Sequence, residues 1–348
     1  MDVLDSFSCP IPLSEYEHVL MAHGGGGRLS QKLVHELLLP QFDNPLLRPL
    51  HDGAIFELAG KLAFSTDSYV VRPLFFPGGD IGELAVNGTV NDLAMCGAQP
   101  LYLSVGLIIE EGLAMDDLRR VVAAVRQAAE RAGVRIVTGD TKVVERGKGD
   151  GLFINTAGIG VVPPGRDVSA GNCRAGDKII LSGKIADHGI AIMAAREGIE
   201  LETEVISDTA PLNGLVERMF AVSSKIRVLR DPTRGGLSSA LNELAQSCGL
   251  GMVICETAIP IDESVKAVCE ILGFDPLYVA NEGKLLAIVA KEDAEAIVAA
   301  MRRHEFGGRA AIIGEVTADH GGRVIMRTAV GSSRVVDMIS GEQLPRIC

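Results

Sequence analysis

Five aspartates in this chain stand at the ends of apolar runs or in turns of small residues: Asp52, Asp67, Asp92, Asp140 and Asp231. Their neighbours are Gly53, Thr66, Asn91, Gly139 and Thr233. A short carboxylate on a strand-end loop, with space beside it, suits a hard cation such as Mg²⁺ that keeps water and phosphate oxygens in its shell. One such aspartate by itself more often caps a turn or a helix. Five in comparable settings point to metal–nucleotide binding. Lys142 follows Asp140 by two residues at the end of an apolar strand. There a lysine serves as a point charge for phosphate or, with its pKa lowered by burial, as a base. Asn281-Glu282-Gly283-Lys284 presents one carboxylate in a tight loop before a strand, and equally reads as a hairpin turn with surface charges.

The chain closes on Leu344-Pro345-Arg346-Ile347-Cys348. Pro345 fixes its own φ and cannot donate a backbone hydrogen bond, so the spacing predicts an extended tail and not a helix. A thiol in such a place is either incidental to a frayed end or a nucleophile on an arm that reaches a pocket or a partner. The tail alone does not choose between them.

The elements that must carry these groups follow from hydrophobic periodicity. His23-Gly24-Gly25-Gly26-Gly27-Arg28 precedes a helical pattern at Leu29, Leu33 and Leu37, with Pro40 as its expected stop. Glycines before a helix can turn amides toward a phosphate, but this spacing matches neither Gly-x-x-x-x-Gly-Lys-Ser/Thr nor Gly-x-Gly-x-x-Gly. Strand-like runs are expected at 54–58 and 61–66. A helix opened by Gly78-Gly79-Asp80 carries Asn87, Asn91 and Asp92 and ends before Pro100. A strand over 101–109, a helix from Asp116 to Gly133, and strands over 134–137 and 152–162 follow. Pro163-Pro164-Gly165 then breaks the pattern. The second half repeats the order: strand 179–181, helix 187–197, Asp231-Pro232-Thr233-Arg234-Gly235-Gly236 leading a helix, strand 252–255, strand 284–289, helix 292–303 and strand 310–313. Two related α+β halves are therefore expected. Their boundaries are an arm over 1–16, an N-terminal domain over 17–165, a C-terminal domain over 166–333 and a mobile tail over 334–348.

Composition narrows the class. The 348 residues are 47% hydrophobic with 40 glycines, enough for two ordinary cores with many tight turns. Net charge is −12, from 33 basic and 45 acidic residues, with no basic run, which argues against nucleic acid and anionic membranes as partners. No basic start with an apolar run marks a secretory signal, and no stretch has the apolar length of a membrane span. The seven cysteines are odd in number, scattered and without a Cys-x-x-Cys pair, so neither a disulfide framework nor a structural zinc site is expected, and a reducing cytoplasm is. Cys348 is not fourth from the end and does not fit a prenylation box.

On these motifs the chain resembles the HypE family, the carbamoyl dehydratases of [NiFe]-hydrogenase maturation. That family lies within the superfamily of aminoimidazole ribonucleotide synthetase, selenophosphate synthetase and thiamine-monophosphate kinase. The resemblance runs nearly end to end: His23 to Gly27, Asp52-Gly53-Ala54, Ser65-Thr66-Asp67-Ser68, Asn87 to Met95, Gly139-Asp140-Thr141-Lys142-Val143, Asp231 to Gly236, Asn281-Glu282-Gly283 and Pro345-Arg346-Ile347-Cys348. The aspartate-rich turns are common to the superfamily and imply ATP. The closing tetrapeptide is specific to the one family.

The resemblance implies two α/β domains of the aminoimidazole ribonucleotide synthetase-like type, the N-terminal sheets of two copies pairing into a barrel with ATP near the interface. It implies that Cys348 accepts a carbamoyl group from the carbamoyltransferase HypF. ATP then activates the carbamoyl oxygen, thiocyanate forms on Cys348, and cyanide passes to iron on the HypC–HypD scaffold. Mg²⁺ would be held by Asp52, Asp92 and Asp231. The nucleotide would meet Gly26, Gly27, Thr66, Asp67, Asn91 and Asp140. Glu282 and Lys142 would take the two protons from the carbamoyl nitrogen. Carbamoylation needs a thiolate, so a nearby cation is expected, with Arg346 or the partner as candidates. A selenophosphate-synthetase-like activity would need a reactive cysteine and lysine in the N-terminal glycine loop, which has neither. A thiol carrier without ATP chemistry would not need the aspartate framework.

Overall fold

The computed structural model of the protein describes residues 16–198, 205–338 and 346–348. The expected arm over 1–16 lies outside the described residues except for Tyr16, and so does Pro345. After the glycine loop the chain turns helical over Arg28–Lys32 (α1) and Leu39–Phe42 (α2), joined by a wider turn over Leu33–Leu38. Pro40 therefore does not stop the helix, contrary to expectation. The wider turn lets the Leu39 N–H bond to the Val34 carbonyl, and Pro40, just beyond it, sits at the start of α2, where no amide is required.

The first half is a four-stranded sheet under two helices. In chain order it contains Lys61–Tyr69 (β1), a small ribbon of Phe75–Phe76 (β2) and Gly79–Asp80 (β3), then Ile81–Met95 (α3) and Gln99–Glu110 (β4). Met115–Ala132 (α4), Arg135–Val144 (β5) and Leu152–Val162 (β6) complete it. The sheet order is β1-β6-β4-β5, with only the β4–β5 pair parallel. Asp80 starts α3 by accepting from the amides of Gly82 and Glu83 at 2.7 and 3.0 Å. α4 opens on Asp116 and Asp117 and closes on Gly133 in the left-handed region, while Leu118, Val121, Val122 and Val125 form its buried stripe.

α3 is buried almost all round, its polar Asn87, Thr89 and Asn91 included, because it is packed between its own sheet and the second half of the chain. The opposite sheet face keeps Leu62, Phe64 and Ile108 exposed. Residues 54–58, expected as a strand, pair with nothing in the described chain. Ile55 is exposed and Phe56 stacks on Tyr102 at 4.7 Å.

The second half is a seven-stranded sheet built from Lys178–Leu181 (β7), Ile226–Arg230 (β8), Gly251–Cys255 (β9), Leu286–Val289 (β10), Ala311–Thr317 (β11), Val324–Arg327 (β12) and Ser333–Val336 (β13). Its order is β13-β12-β9-β11-β7-β10-β8. Helices Asp187–Glu197 (α5), Asn213–Phe220 (α6), Gly236–Cys248 (α7), Glu263–Leu272 (α8) and Ala294–Met301 (α9) cover it. β10 is buried at all four residues, as a central strand between two helical layers requires. The loop that enters β10, Asn281 to Leu285, faces α3 across the junction of the halves.

Candidate active site

The last three residues are seated at that junction. Val70 N–H donates to Cys348 O at 3.1 Å and Arg72 N–H to Arg346 O at 3.4 Å, so the tail lies along the chain that leaves β1. Ile347 is 3% exposed among the apolar residues of the first half, with Ile192 and Ala280 of the second half beside it. Cys348 is half-buried against the same cluster.

Around the sulfur stand mostly acidic groups. Burial pushes the Cys348 thiol up to about 12; Glu282 and Asp67 add to the rise, while Arg234 opposes it. Glu282 is buried and its Oε1 has no hydrogen-bond partner. Burial, then Asp231, Asp208, Asp67 and Asp92, hold its carboxyl well above the ordinary range. Asp231 rises to about 7 through burial and Asp92. Asp92 is raised by burial, although Ser65 Oγ–H donates to it at 2.6 Å. The cluster thus binds protons more readily than separate carboxylates would.

Glu282 is held from below. Its N–H donates to Asp208 at 3.0 Å, and Asp208 pairs with Lys284 at 3.0 Å in a nearly dry setting. Burial alone would raise Asp208, but Lys284 and the Glu282 N–H outweigh it and keep the carboxyl ionised. Gly283 separates Glu282 from Lys284, and a Cβ there would collide with the Asp208 carbonyl. Asn91 braces the same loop from α3: its Nδ2 donates to Ala210 O at 3.0 Å and Glu282 O at 3.2 Å, and its Oδ1 accepts from Leu212 N–H at 2.7 Å. The resemblance gave Asn91 to the nucleotide. The structure commits its amide to the backbone that carries Glu282, because α3 is buried here and an amide must be satisfied.

The other expected residues gather elsewhere. Gly26, Asp52, Asp140 and Lys142 line a cleft of about 610 Å³ between the glycine loop, the turn at 51–53 and β5. Lys142 Nζ pairs with Asp140 at 2.8 Å, and that pairing holds Asp140 below the ordinary carboxylate range. Gly27 caps α1, and Gly26 N–H donates to Ser30 Oγ at 2.9 Å. Thr66 lies on β1, its Oγ1 donating to Thr156 O at 3.0 Å.

Register separates the two groups. Asp140 is opposite Gly106, Gly106 opposite Asn155, and Asn155 opposite Ser68, so three strand spacings, roughly 14 Å, divide the cleft on β5 from β1. The expected metal set is divided likewise, Asp92 and Asp231 standing by Glu282 and Asp52 in the cleft. Among the described residues no three His, Cys, Asp or Glu side chains converge closely enough to enclose one ion.

Arg346 does not face the thiol. It pairs with Asp150, which also pairs with Arg72, and its Nη2 donates to Val70 O at 3.2 Å. The cation whose field opposes the rise of the thiol pKa is Arg234, in the turn after Asp231. It belongs to a motif visible in the sequence but was not singled out there. His188 and Asp208 were also missed, since nothing local marks a residue that acts across a domain junction. Lys284, which also reads from the sequence as a surface charge of the Glu282 loop, is instead half-buried and paired with Asp208. Arg346 is thus an anchor of the seated tail. Replacing it by alanine is expected to lower the apparent pKa of Cys348 from about 12 toward the free-thiol value of 9.0, by releasing the thiol from its acidic setting. A pH series of iodoacetamide alkylation checks this. A rise would return Arg346 to the role of thiolate stabiliser.

The class to which this fold and site belong is shown by two matches. Residues 50–162 match the AIR synthase related protein N-terminal domain and residues 174–327 its C-terminal domain. Within the class, the chain is 56% identical over 331 residues to the carbamoyl dehydratase HypE of Azotobacter vinelandii, covering 95% of this chain and 97% of that protein. A crystal structure of the hydrogenase maturation protein HypE in complex with ATP superposes with a TM-score of 0.92 at 52% identity, over 94% of this chain and 99% of the other. A HypE–HypF complex structure matches at 48% identity with a TM-score of 0.79, over 88% and 99%. The chain belongs to the HypE family of carbamoyl dehydratases.

Proposed function

We propose that this protein uses ATP to dehydrate an S-carbamoyl group on its own Cys348 to a thiocyanate, the source of the cyanide ligand of [NiFe]-hydrogenase iron. The observation that carries the reading is the seating of Cys348 beside Glu282, a buried carboxyl with high proton affinity and a free oxygen. In R–S–C(=O)NH₂ the oxygen must leave and both nitrogen protons must be removed to give R–S–C≡N. ATP supplies the phosphoryl group that makes this oxygen a leaving group. In its ionised form, reached when the acidic field around it is offset, Glu282 takes a proton from the nitrogen, held at its post by Asn91, Asp208 and Gly283. Arg234 offsets the acidic field at the sulfur, and Ile347 closes the seat against water.

Docking and loading are separate tasks for the thiol. Seated, it stays protonated at neutral pH and is a poor nucleophile. Loading therefore belongs to the undocked tail and dehydration to the docked one. HypF is the carbamoyl donor in this reading, supported by the solved HypE–HypF complex. HypC–HypD as cyanide acceptor and a cytoplasmic setting complete it. Among the described residues no helix is long and apolar enough to cross a membrane.

Mg²⁺ belongs to the proposal because the donors suit it. Asp92 and Asp231 offer hard oxygens in a field short of positive charge, and one or two carboxylates suffice for an ion whose remaining ligands are water and phosphate. A homodimer is supported by the exposed apolar sheet face of Leu62, Phe64 and Ile108 and by the open edge of β1. Pairing there would bring the cleft with Asp52, Asp140 and Lys142 toward a second copy's carboxylate cluster. Lys142, exposed and paired with Asp140 in the single chain, would serve there as a point charge, the second nitrogen proton leaving with the departing phosphate. Intact-mass measurement of carbamoylated protein after addition of Mg-ATP is expected to show the loss of one water, with phosphate released. Cys348→Ala should neither load nor change mass. Retention of the full carbamoyl mass in the wild type would overturn the reading.

A further inference from the structure

The seated tail is gripped by its backbone, and two residues of α5 do the gripping. His188 Nε2 lies 2.7 Å from Ile347 O, and its Nδ1 lies 2.8 Å from Ser207 Oγ. A carbonyl only accepts, so Nε2 carries the proton. Burial lowers the pKa of this ring and keeps it neutral, so Nδ1 accepts from the Ser207 hydroxyl. Phe76 stands edge-on to the ring at 5.7 Å and fixes its plane. One carbonyl earlier, Arg196 Nη2 donates to Arg346 O at 2.7 Å and to Arg72 O at 2.8 Å, tying the tail to the strand exit it lies along.

α5 is itself knit to the loop of Glu282. Ala186 N–H donates to Asn281 Oδ1 at 2.7 Å and Gly189 N–H to Ala280 O at 3.2 Å. The loop that aims Glu282 at the sulfur therefore also fixes the start of the helix that holds the tail. Arg346 has φ +56°, a left-handed conformation that costs a non-glycine residue about 1 kcal/mol or more, so the seat is held by these contacts and not by the tail's own preference.

We propose that His188 is a positioning residue for dehydration and that His188 and Arg196 form a latch that reads the carbonyls of residues 346 and 347, not the group carried on sulfur. None of these contacts involves the Cys348 side chain. The latch therefore closes equally on thiol, carbamoyl and cyano forms, and it acts beside the side-chain anchors of Arg346 and Ile347. This inference rests on the dehydratase reading for its rate predictions but not for its docking prediction.

The test uses the full-length protein with variants His188→Ala, His188→Gln and Arg196→Ala. A glutamine amide can place an N–H close to the position of Nε2. Iodoacetamide alkylation of Cys348, followed by peptide mass, reports docking without any turnover. Leaving a buried carbonyl unpaired shifts such an equilibrium by about ten- to a hundredfold. His188→Ala is expected to shift docking by about that factor, read as faster alkylation, with His188→Gln returning most of the way to wild type. Arg196→Ala acts on the Arg346 carbonyl, which is exposed and keeps the Arg72 N–H, and is expected to shift docking about two- to tenfold. In single turnover, carbamoyl loading by HypF is expected to be unchanged or faster in both alanine variants, while loss of water after Mg-ATP slows, the rise in alkylation and this slowing multiplying to the shift in the docking equilibrium. A misfolded His188→Ala would slow both steps together, and Arg196→Ala and His188→Gln then decide. Alkylation at the wild-type rate in Arg196→Ala, or no rescue by glutamine in a folded protein, overturns the latch. Latch variants that alkylate faster while even the wild type fails to lose water would leave the latch standing and remove the dehydratase reading.

Discussion

Glu282→Gln is expected to stop dehydration while making the resting protein more stable. Glutamine has the shape and the hydrogen-bonding groups of a protonated glutamate, so Asn91, Asp208 and Gly283 keep the loop where it is. It cannot accept a proton, and removal of a general base costs about 10²–10⁴-fold in rate. The stability change follows from the raised pKa of Glu282. In the unfolded chain this carboxyl ionises near its ordinary value of 4.5. In the folded chain, burial and four aspartates resist ionisation, so wild-type stability is greatest below that value and falls as pH rises. Glutamine carries no such penalty, and the gap between variant and wild type should widen from pH 5 to pH 8. Thermal melts across that range without nucleotide, paired with the water-loss assay, check both halves. An active Glu282→Gln would remove Glu282 as the base. An inactive variant that is less stable at every pH would mean that the ionised form holds the fold together.

Asp231→Asn should divide differently between resting and working conditions. The Asp231 carboxyl is raised from 3.8 to about 7 by burial and by Asp92. Its contribution to stability is therefore full below pH 3.8 and is lost progressively as pH climbs to about 7. With the acidic neighbours relaxed, asparagine is expected to gain about 1–3 kcal/mol over the wild type at pH 8 in EDTA, and nothing at pH 4. Addition of Mg-ATP should reverse the order, because the wild-type cluster recovers its deficit of positive charge and the variant has lost an ionic ligand. Dehydration is expected to fall about 10²–10³-fold. Equal stabilisation of both proteins by Mg-ATP would show that Asp231 is a structural acid and not part of the cation site.

The motifs of the sequence anticipated much of this site because its chemistry is local in type. Asp67, Asp92, Asp231 and Glu282 each have small neighbours in the sequence, and the structure gathers the three aspartates around Glu282, which with Asp67 acts on Cys348. Strand and helix patterns were equally legible where burial repeats every two residues or every three to four, as in β6 and α4. Pro40 and residues 54–58 were misread for a common reason. A wider helical turn, and the presence or absence of a strand partner, are decided by neighbours that no local pattern encodes.

What the sequence determined by itself was a list of candidate groups and, through its last four residues, the family. It could not say which groups meet. That depended on strand register, which sets Lys142 and Asp140 roughly 14 Å across the sheet from β1, and on α3 packing between two halves far apart in the chain. Only the tertiary structure paired Arg346 with Asp150, let the field of Arg234 reach the thiol and gave His188 the Ile347 carbonyl. The physical reason is that charge, burial and hydrogen bonding at this site act between residues up to 281 positions apart, from Arg346 to Val70 or from Cys348 to Asp67, and proximity of that kind exists only after folding.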